Sequence, residues 1–235
     1  LEIVIYGGAS TAGETIKQFK KISRAKLIEG YGMSECVGIA TMSPITTEGK
    51  FGSIGIPISD TDVMVVDPID GIKVLPPDQK GEIIIRGPQV IKEYWENPEE
   101  TAHAIRNGWL YTGDIGYMDD DGFLYLVDRK KDMIIVGGFN VYPREIDELL
   151  FTHPKIIEAC TIGIPDPRLG EVPKSFVVLK SGETLGAEEV RAFCREKMIA
   201  YKVPKIVEFV DIIPKTMVNK PDKEALKRME EKLLK

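Results

Sequence analysis

Apolar positions along this chain come in short groups, and the spacing between them changes twice. Leu1 to Tyr6 form a β-prone run that stops at Gly7-Gly8, after which Ile16, Phe19 and Ile22 recur at helical spacing. This predicts strand, glycine turn, helix. Lys26 to Glu29 predicts a second strand, ending in the loop Gly30-Tyr31-Gly32-Met33-Ser34-Glu35. From Phe51 to Tyr125 the pattern turns to short β-prone pieces, Asp62 to Asp67, Glu82 to Arg86 and Phe123 to Val127, punctuated by Gly, Pro and Asp. An antiparallel sheet or small barrel is expected there. Beyond the charged knot Asp128-Arg129-Lys130-Lys131-Asp132 the pattern changes again. It reads strand (Met133 to Val136), helix (Pro143 to Phe151), strands (Ile157 to Ile162 and Ser175 to Leu179), helix (Ala187 to Ile199), strand (Ile206 to Val210) and helix (Pro221 onward). Pro143 and Pro221 are expected in the first turns of their helices, where the missing N–H costs nothing. The knot marks a domain boundary, with a β-rich part over 1–130 and an α/β part over 131–235. The fold class expected is α/β (α+β).

Composition narrows the function. The 235 residues are 43% hydrophobic and 29% charged, which is ordinary for a folded globular chain. A formal charge of −6 and the lack of an arginine-rich tract make nucleic acid a poor partner. Cys36, Cys160 and Cys194 have neither metal-ligand spacing nor an even count, so a zinc site and a disulfide framework are not expected. No apolar run approaches the roughly 18 residues of a membrane span, and a reducing, cytoplasmic setting is expected. Leu1 stands where an initiator Met would, so a fragment or a processed piece is expected.

Several short motifs can carry chemistry. Gly7-Gly8-Ala9-Ser10 follows a strand and precedes a helix, so its backbone can approach a flat ligand; a plain strand-to-helix turn explains it as well. Tyr31 to Glu35 places a ring, a hydroxyl and a carboxylate on a loop after a strand, able to stack a base, touch a phosphate and hold Mg²⁺, or forming an ordinary glycine turn. Asp114, in Thr112-Gly113-Asp114, is expected at the edge of a strand starting near Ile115. There it can take both hydroxyls of a ribose or bond its own turn backbone. Gly137-Gly138 reads as a tight loop needing positive φ. Lys220 lies just before the last predicted helix. His103 and His153 have no nucleophile or metal partner in the sequence pattern and read as structural or surface groups, and Ser34 lacks the strand-elbow-helix setting of a hydrolase nucleophile.

In order and content together these motifs are much more specific. The run Tyr6-Gly7-Gly8-Ala9, Tyr31-Gly32-Met33-Ser34-Glu35, Gly52-Ser53-Ile54-Gly55-Ile56-Pro57, Gly81-Glu82-Ile83-Ile84-Ile85-Arg86-Gly87-Pro88, Gly108-Trp109-Leu110-Tyr111-Thr112-Gly113-Asp114 and the terminal Lys220 resembles the C-terminal part of the acyl-adenylate-forming (AMP-binding) superfamily. Within it, Asp128 to Ile134 with Gly137 to Ile146 resembles the fatty acyl-CoA synthetases. The resemblance covers essentially the whole chain. It implies that residues 1–130 end a large AMP-binding domain with a barrel-like β subdomain and that 131–235 form a mobile C-terminal domain.

For the site it implies that Gly7, Gly8, Ala9 and Gly32 line the nucleotide and that Tyr31 packs against the base. Ser34 contacts phosphate, Glu35 holds Mg²⁺, Asp114 holds the ribose and Arg129 reaches ribose or phosphate. Lys131 is the hinge, Gly138 lines the coenzyme A tunnel, and Lys220 is the catalytic lysine bridging acyl carboxylate and α-phosphate. The substrates implied are ATP, a carboxylic acid, fatty in class, and coenzyme A, with AMP as product. Two positions depart from the motif: Ser34 stands where Thr is usual, and Asn219 where Gly is usual, Asn being one of the few residues that visit left-handed backbone. The family's glycine-rich phosphate loop has no counterpart in the chain, and Gly49-Lys50-Phe51 is not one, so the 235 residues alone are expected to be inactive without the N-terminal part of the same enzyme. The alternatives are a non-catalytic nucleotide- or partner-binding module and an adenylation enzyme that loads a carrier protein.

Overall fold

A computed structural model describes residues 2–7, 13–47, 49–217 and 219–233. Gly8 and Ala9 lie outside the described residues. The chain divides into two compact units, 1–130 and 131–235. No helix among the described residues is long and apolar enough to cross a membrane.

The first unit opens with strand β1 (Ile3–Gly7), helix α1 (Gly13–Ile22) and strand β2 (Lys26–Tyr31), and β1 pairs with β2 in parallel. A parallel pair needs a crossover, and α1 supplies it. Gly7 lies opposite Gly30, and a Cβ on Gly7 would stand 2.1 Å from the Gly30 carbonyl oxygen, so the close approach of the two strands requires glycine there. β2 runs two residues past its expected end because Gly30 and Tyr31 pair with β3 (Thr41–Met42), which pairs in turn with β4 (Ile56–Pro57). The expected loop from Gly30 to Glu35 is thus strand as far as Tyr31, followed by a 3₁₀ turn over Ser34–Cys36.

A second, curled half-barrel sheet contains β5 (Asp62–Val66), β6 (Gly81–Arg86), β7 (Ile105–Arg106), β8 (Trp109–Met118) and β9 (Leu124–Arg129). Its order is β5-β6-β8-β7 with β9 also on β8, and every pairing is antiparallel. Ile83, Ile85, Val65 and Leu124 from this sheet bury against Tyr31, Cys36, Ala40 and Ile54. Helix α2 (Pro98–Ala104), absent from the sequence expectation, is capped by Asn97, whose side chain accepts the Glu100 N–H. It buries none of its residues, so it has no apolar stripe to announce it.

The second unit contains β10 (Ile134–Val136), β11 (Phe139–Val141), α3 (Pro143–Phe151), β12 (Ile156–Asp166), β13 (Gly170–Leu179), α4 (Ala187–Arg195), β14 (Ile206–Phe209) and α5 (Lys223–Leu233). The sheet order is β11-β10-β13-β12, with β14 parallel to β13. Alternate residues of a strand face opposite sides. Ala159 and Val177 accordingly join Ile146, Leu150, Val190 and Cys194 in one core, while Cys160, Ile162 and Phe176 join Ile213 and Leu226 in another. A sheet covered on both faces explains why consecutive residues such as Ala159 and Cys160 of β12, or Phe176 and Val177 of β13, are all apolar and buried. Pro143 occupies the first turn of α3 as expected. Pro221 does not open α5: it pairs with Lys215, and Asp222 caps the helix by accepting the Ala225 N–H at 2.9 Å.

Lys174 on β13 is the buried cation among the described residues of this unit, at 5% exposure. Its Nζ lies 2.6 Å from Glu230 Oε1 on α5 and 2.7 Å from Glu208 Oε2 on β14. Removing one partner of a buried pair leaves an uncompensated charge, which costs about 3 kcal/mol or more. Lys174→Ala is therefore expected to lower the unfolding free energy of the chain by about 3 kcal/mol in a urea titration. A change below about 1 kcal/mol would put the pair on a par with a surface ion pair.

Candidate active site

The β6–β8 ladder is interrupted where the Thr-Gly-Asp motif lies. Glu82 faces Ile115 and Ile84 faces Tyr111, so Thr112-Gly113-Asp114 stands opposite Ile83 alone. This is a bulge inside a ten-residue strand, not the strand edge expected from the sequence, and a bulge re-aims the side chains it carries. The groups it takes out of the ladder are satisfied locally. The Thr112 hydroxyl donates to the Ile83 carbonyl at 2.7 Å and accepts the Asp114 N–H at 3.0 Å, and the Gly113 N–H, at φ 68°, donates to Glu82 Oε1 at 3.2 Å.

Asp114 is 4% exposed and held from two sides. The Tyr31 hydroxyl donates to Oδ2 at 2.7 Å, and Arg129 Nε approaches Oδ1 to 2.8 Å. Burial pushes the carboxyl above its ordinary pKa, while the Tyr31 hydrogen bond and the Arg129 guanidinium pull it back down. Burial also drives the Tyr31 phenol well up, with the Asp114 charge adding to it. An ionised carboxylate has about four lone-pair sites, so this one can accept further hydroxyl donors beside Tyr31 and Arg129. Tyr31 is 8% exposed and packs in the core, with its hydroxyl turned to Asp114. Arg129, by contrast, leaves its side chain 58% exposed.

Glu35 lies in the 3₁₀ turn with exposed Ser34 beside it, and Gly32 lies between that turn and β2. Glu35 Oε1 accepts the Tyr94 hydroxyl at 2.8 Å. Burial and the Glu35 carboxylate push Tyr94 up to about 12, so at neutral pH it remains a donor. Among the described residues no three His, Cys, Asp or Glu groups gather as a metal cage. Mg²⁺ commonly takes one or two carboxylates plus substrate phosphates and water, so a single carboxylate such as Glu35 fits an ion carried by a nucleotide, not a resident one.

Four residues of the charged knot, Arg129 to Asp132, take part in ion pairs. Lys130 Nζ lies 2.7 Å from Glu82 Oε2, and a 3₁₀ turn over Lys130–Asp132 follows β9. In the second unit Lys131 approaches Glu224 at 3.6 Å, and Asp132 approaches Lys223 at 3.7 Å. Gly137 and Gly138, at φ 56° and 89°, form the two-residue turn joining β10 to β11; both central residues of such a turn need positive φ. Lys220 sits exposed on a tight hairpin whose base is the Lys215–Pro221 pairing, anchored to β12 by the Lys215–Glu158 ion pair. Within it the Thr216 N–H donates to the Lys220 carbonyl at 2.7 Å, and Thr216 Oγ1 accepts the Lys220 N–H at 3.2 Å. Asn219 takes up the left-handed conformation at φ 59°, as the turn demands where glycine is usual.

Of the candidate residues, Tyr31 and Arg129 each touch Asp114, and Glu35 pairs with Tyr94 in the same unit. Lys131, Gly138 and Lys220 belong to the second unit. Glu82 and Tyr94 escaped the sequence reading; a carboxylate opening the apolar run Ile83-Ile84-Ile85 was the one signal for Glu82.

Two sequence models match the chain in order: "AMP-binding enzyme" over residues 1–95 and "AMP-binding enzyme C-terminal domain" over residues 145–220. A long-chain-fatty-acid–CoA ligase of Bacillus subtilis is 48% identical over 214 residues, covering 91% of this chain and 38% of the ligase. ATP-bound MatB from Rhodopseudomonas palustris superposes with a TM-score of 0.90 at 32% identity, over 99% of this chain and 46% of that one. The o-succinylbenzoate CoA synthetase of Bacillus subtilis, in complex with its acyl-adenylate intermediate, superposes with a TM-score of 0.84 at 33% identity, over 97% and 46%. The chain thus spans less than half the length of these relatives. Both halves of one architecture, matched in order and carried by one continuous chain, make it a member of the acyl-adenylate- and acyl-CoA-forming AMP-binding enzymes.

Proposed function

We propose that this chain is the ribose-binding and lysine-bearing part of an ATP-dependent acid–thiol ligase acting on a carboxylic acid of the fatty class. In the first step a carboxylate oxygen attacks the α-phosphorus of ATP, the bond to the β,γ-phosphates breaks, and acyl-AMP and pyrophosphate form. In the second the coenzyme A thiol loses its proton and attacks the acyl carbonyl carbon, releasing AMP.

The observation that carries this reading is the buried Asp114 carboxylate, braced by Tyr31 and Arg129 and carried on a strand bulge. Such a group suits a vicinal diol: each ribose hydroxyl donates one charge-assisted bond, and the bracing removes the need to reorganise on binding. Arg129 then lies beside both ribose and phosphate. Gly7 and Gly32 supply close backbone on the nucleotide side, and Ser34 a hydroxyl for phosphate. Glu35 would hold Mg²⁺, which neutralises phosphate charge when bound. Lys220, preorganised on its hairpin, meets the negative charge that develops at the α-phosphate. Lys131 is the hinge through which the second unit changes its role between half-reactions, and Gly138 leaves room for the pantetheine arm. The relatives, a fatty-acid–CoA ligase and two proteins caught with ATP or an acyl-adenylate, support the same chemistry.

Asp114→Asn tests the site. It keeps shape and loses the charge that strengthens both ribose bonds, each worth about 1.5 to 3 kcal/mol, so AMP affinity is expected to fall at least about tenfold by calorimetry. Unchanged affinity would remove the ribose role.

A further inference from the structure

Glu82 is among the most deeply buried charged groups in the molecule, at 3% exposure, yet nothing in the reaction sequence calls for it. A buried carboxylate is tolerated only where its oxygens are paired. Both are paired here, and both partners lie next to residues of the proposed site. Oε1 accepts the N–H of Gly113, one peptide before Asp114, and Oε2 takes the ammonium of Lys130, one residue after Arg129. Arg129 itself reaches back to Asp114 Oδ1, which closes a ring of contacts from Glu82 through Gly113, Asp114, Arg129 and Lys130 to Glu82 again.

The bulge explains why such a group is needed. With Thr112-Gly113-Asp114 standing opposite one residue, the Gly113 N–H finds its acceptor in a side chain, Glu82, rather than in a ladder carbonyl. Without that acceptor, the part-buried donor would be relieved by rotating the Gly113 peptide, and Asp114 would turn with it. Lys130 holds the other oxygen and is in turn held by it, immediately before Lys131.

We propose that Glu82 is a positioning residue for nucleotide recognition: it locks the Gly113 peptide so that Asp114 faces the ribose, and it pins the Arg129–Lys130 segment that leads into the hinge. This rests on the ribose role proposed for Asp114.

The test uses the chain with AMP as probe. In Glu82→Met, which fills the space and accepts no hydrogen bond, amide exchange at Gly113 by NMR is expected to accelerate and AMP affinity to fall, each by about tenfold. Glu82→Gln retains an acceptor for Gly113 and is expected to restore both to within about threefold of the parent. Because Glu82 acts through Asp114, Glu82→Met placed on Asp114→Asn is expected to weaken AMP binding no further, whereas independent effects would add. Should Glu82→Met fail to fold, Glu82→Asp keeps a charge for Lys130 but is too short to reach Gly113, and the same losses are expected. Parental exchange and affinity in the Met or Asp variant, with Asp114→Asn still weakened, overturns the positioning role and leaves the ribose site standing. Parental affinity in Asp114→Asn overturns the ribose site instead.

Discussion

Lys220→Ala in the full-length enzyme proposed above is expected to slow acyl-adenylate formation by about 10² to 10³, the usual loss for one preorganised group facing developing charge. Thioester formation from supplied acyl-AMP is expected to survive. The separation follows from where charge appears: phosphate gains it when the carboxylate attacks, and the thiol attack that follows takes place at a carbonyl. The hairpin argues that the loss is chemical rather than structural. Lys220 enters the turn through its backbone, by the Thr216 bonds, and its side chain is exposed, so alanine leaves the turn intact. Single-turnover assays of each half-reaction decide the matter. Equal losses in both would make Lys220 a structural residue.

Lys131→Pro is expected to separate the half-reactions in another way. Lys131 lies in the middle of the 3₁₀ turn Lys130–Asp132, and proline fixes φ near −65°, within the range of a 3₁₀ turn. The substitution therefore suits the conformation seen here and removes others from reach. If a change of backbone at Lys131 must occur between the steps, one half-reaction is spared and the other suppressed; adenylation is expected to be spared and transfer to coenzyme A suppressed. Proline also disfavours helical backbone at the preceding Lys130, so thermal stability is measured alongside. Rates within a few-fold of the parent in both steps would place the hinge elsewhere.

Much of the fold is legible in local pattern. α3 begins and ends at Pro143 and Phe151 as its period and its proline predict. The positive φ of Asn219 follows from residue type together with the turn in which it sits. Family resemblance, carried by motifs in order, singles out Asp114, Arg129 and Lys220 before any contact is known.

What local pattern leaves open is decided by partners distant in the chain. The last two residues of β2 are strand because Thr41 and Met42 come to pair with them. Asp114 belongs to a bulge, not an edge, because β6 imposes a register that three residues of β8 do not fit. Tyr31 turns its ring into the core and its hydroxyl to a carboxylate 83 residues away, and Glu82 meets a peptide 31 residues on. Periodicity and turn chemistry act over a few residues, so one sequence determines its own helices, strands and breaks. The pairing register and the burial of a charge depend on which strands meet, and a one-residue change in register alters which side chains come together. Motifs along the chain therefore suffice to nominate candidate residues, while the contacts that brace Asp114, and those made by Glu82, arise only when β6, β8 and β9 assemble.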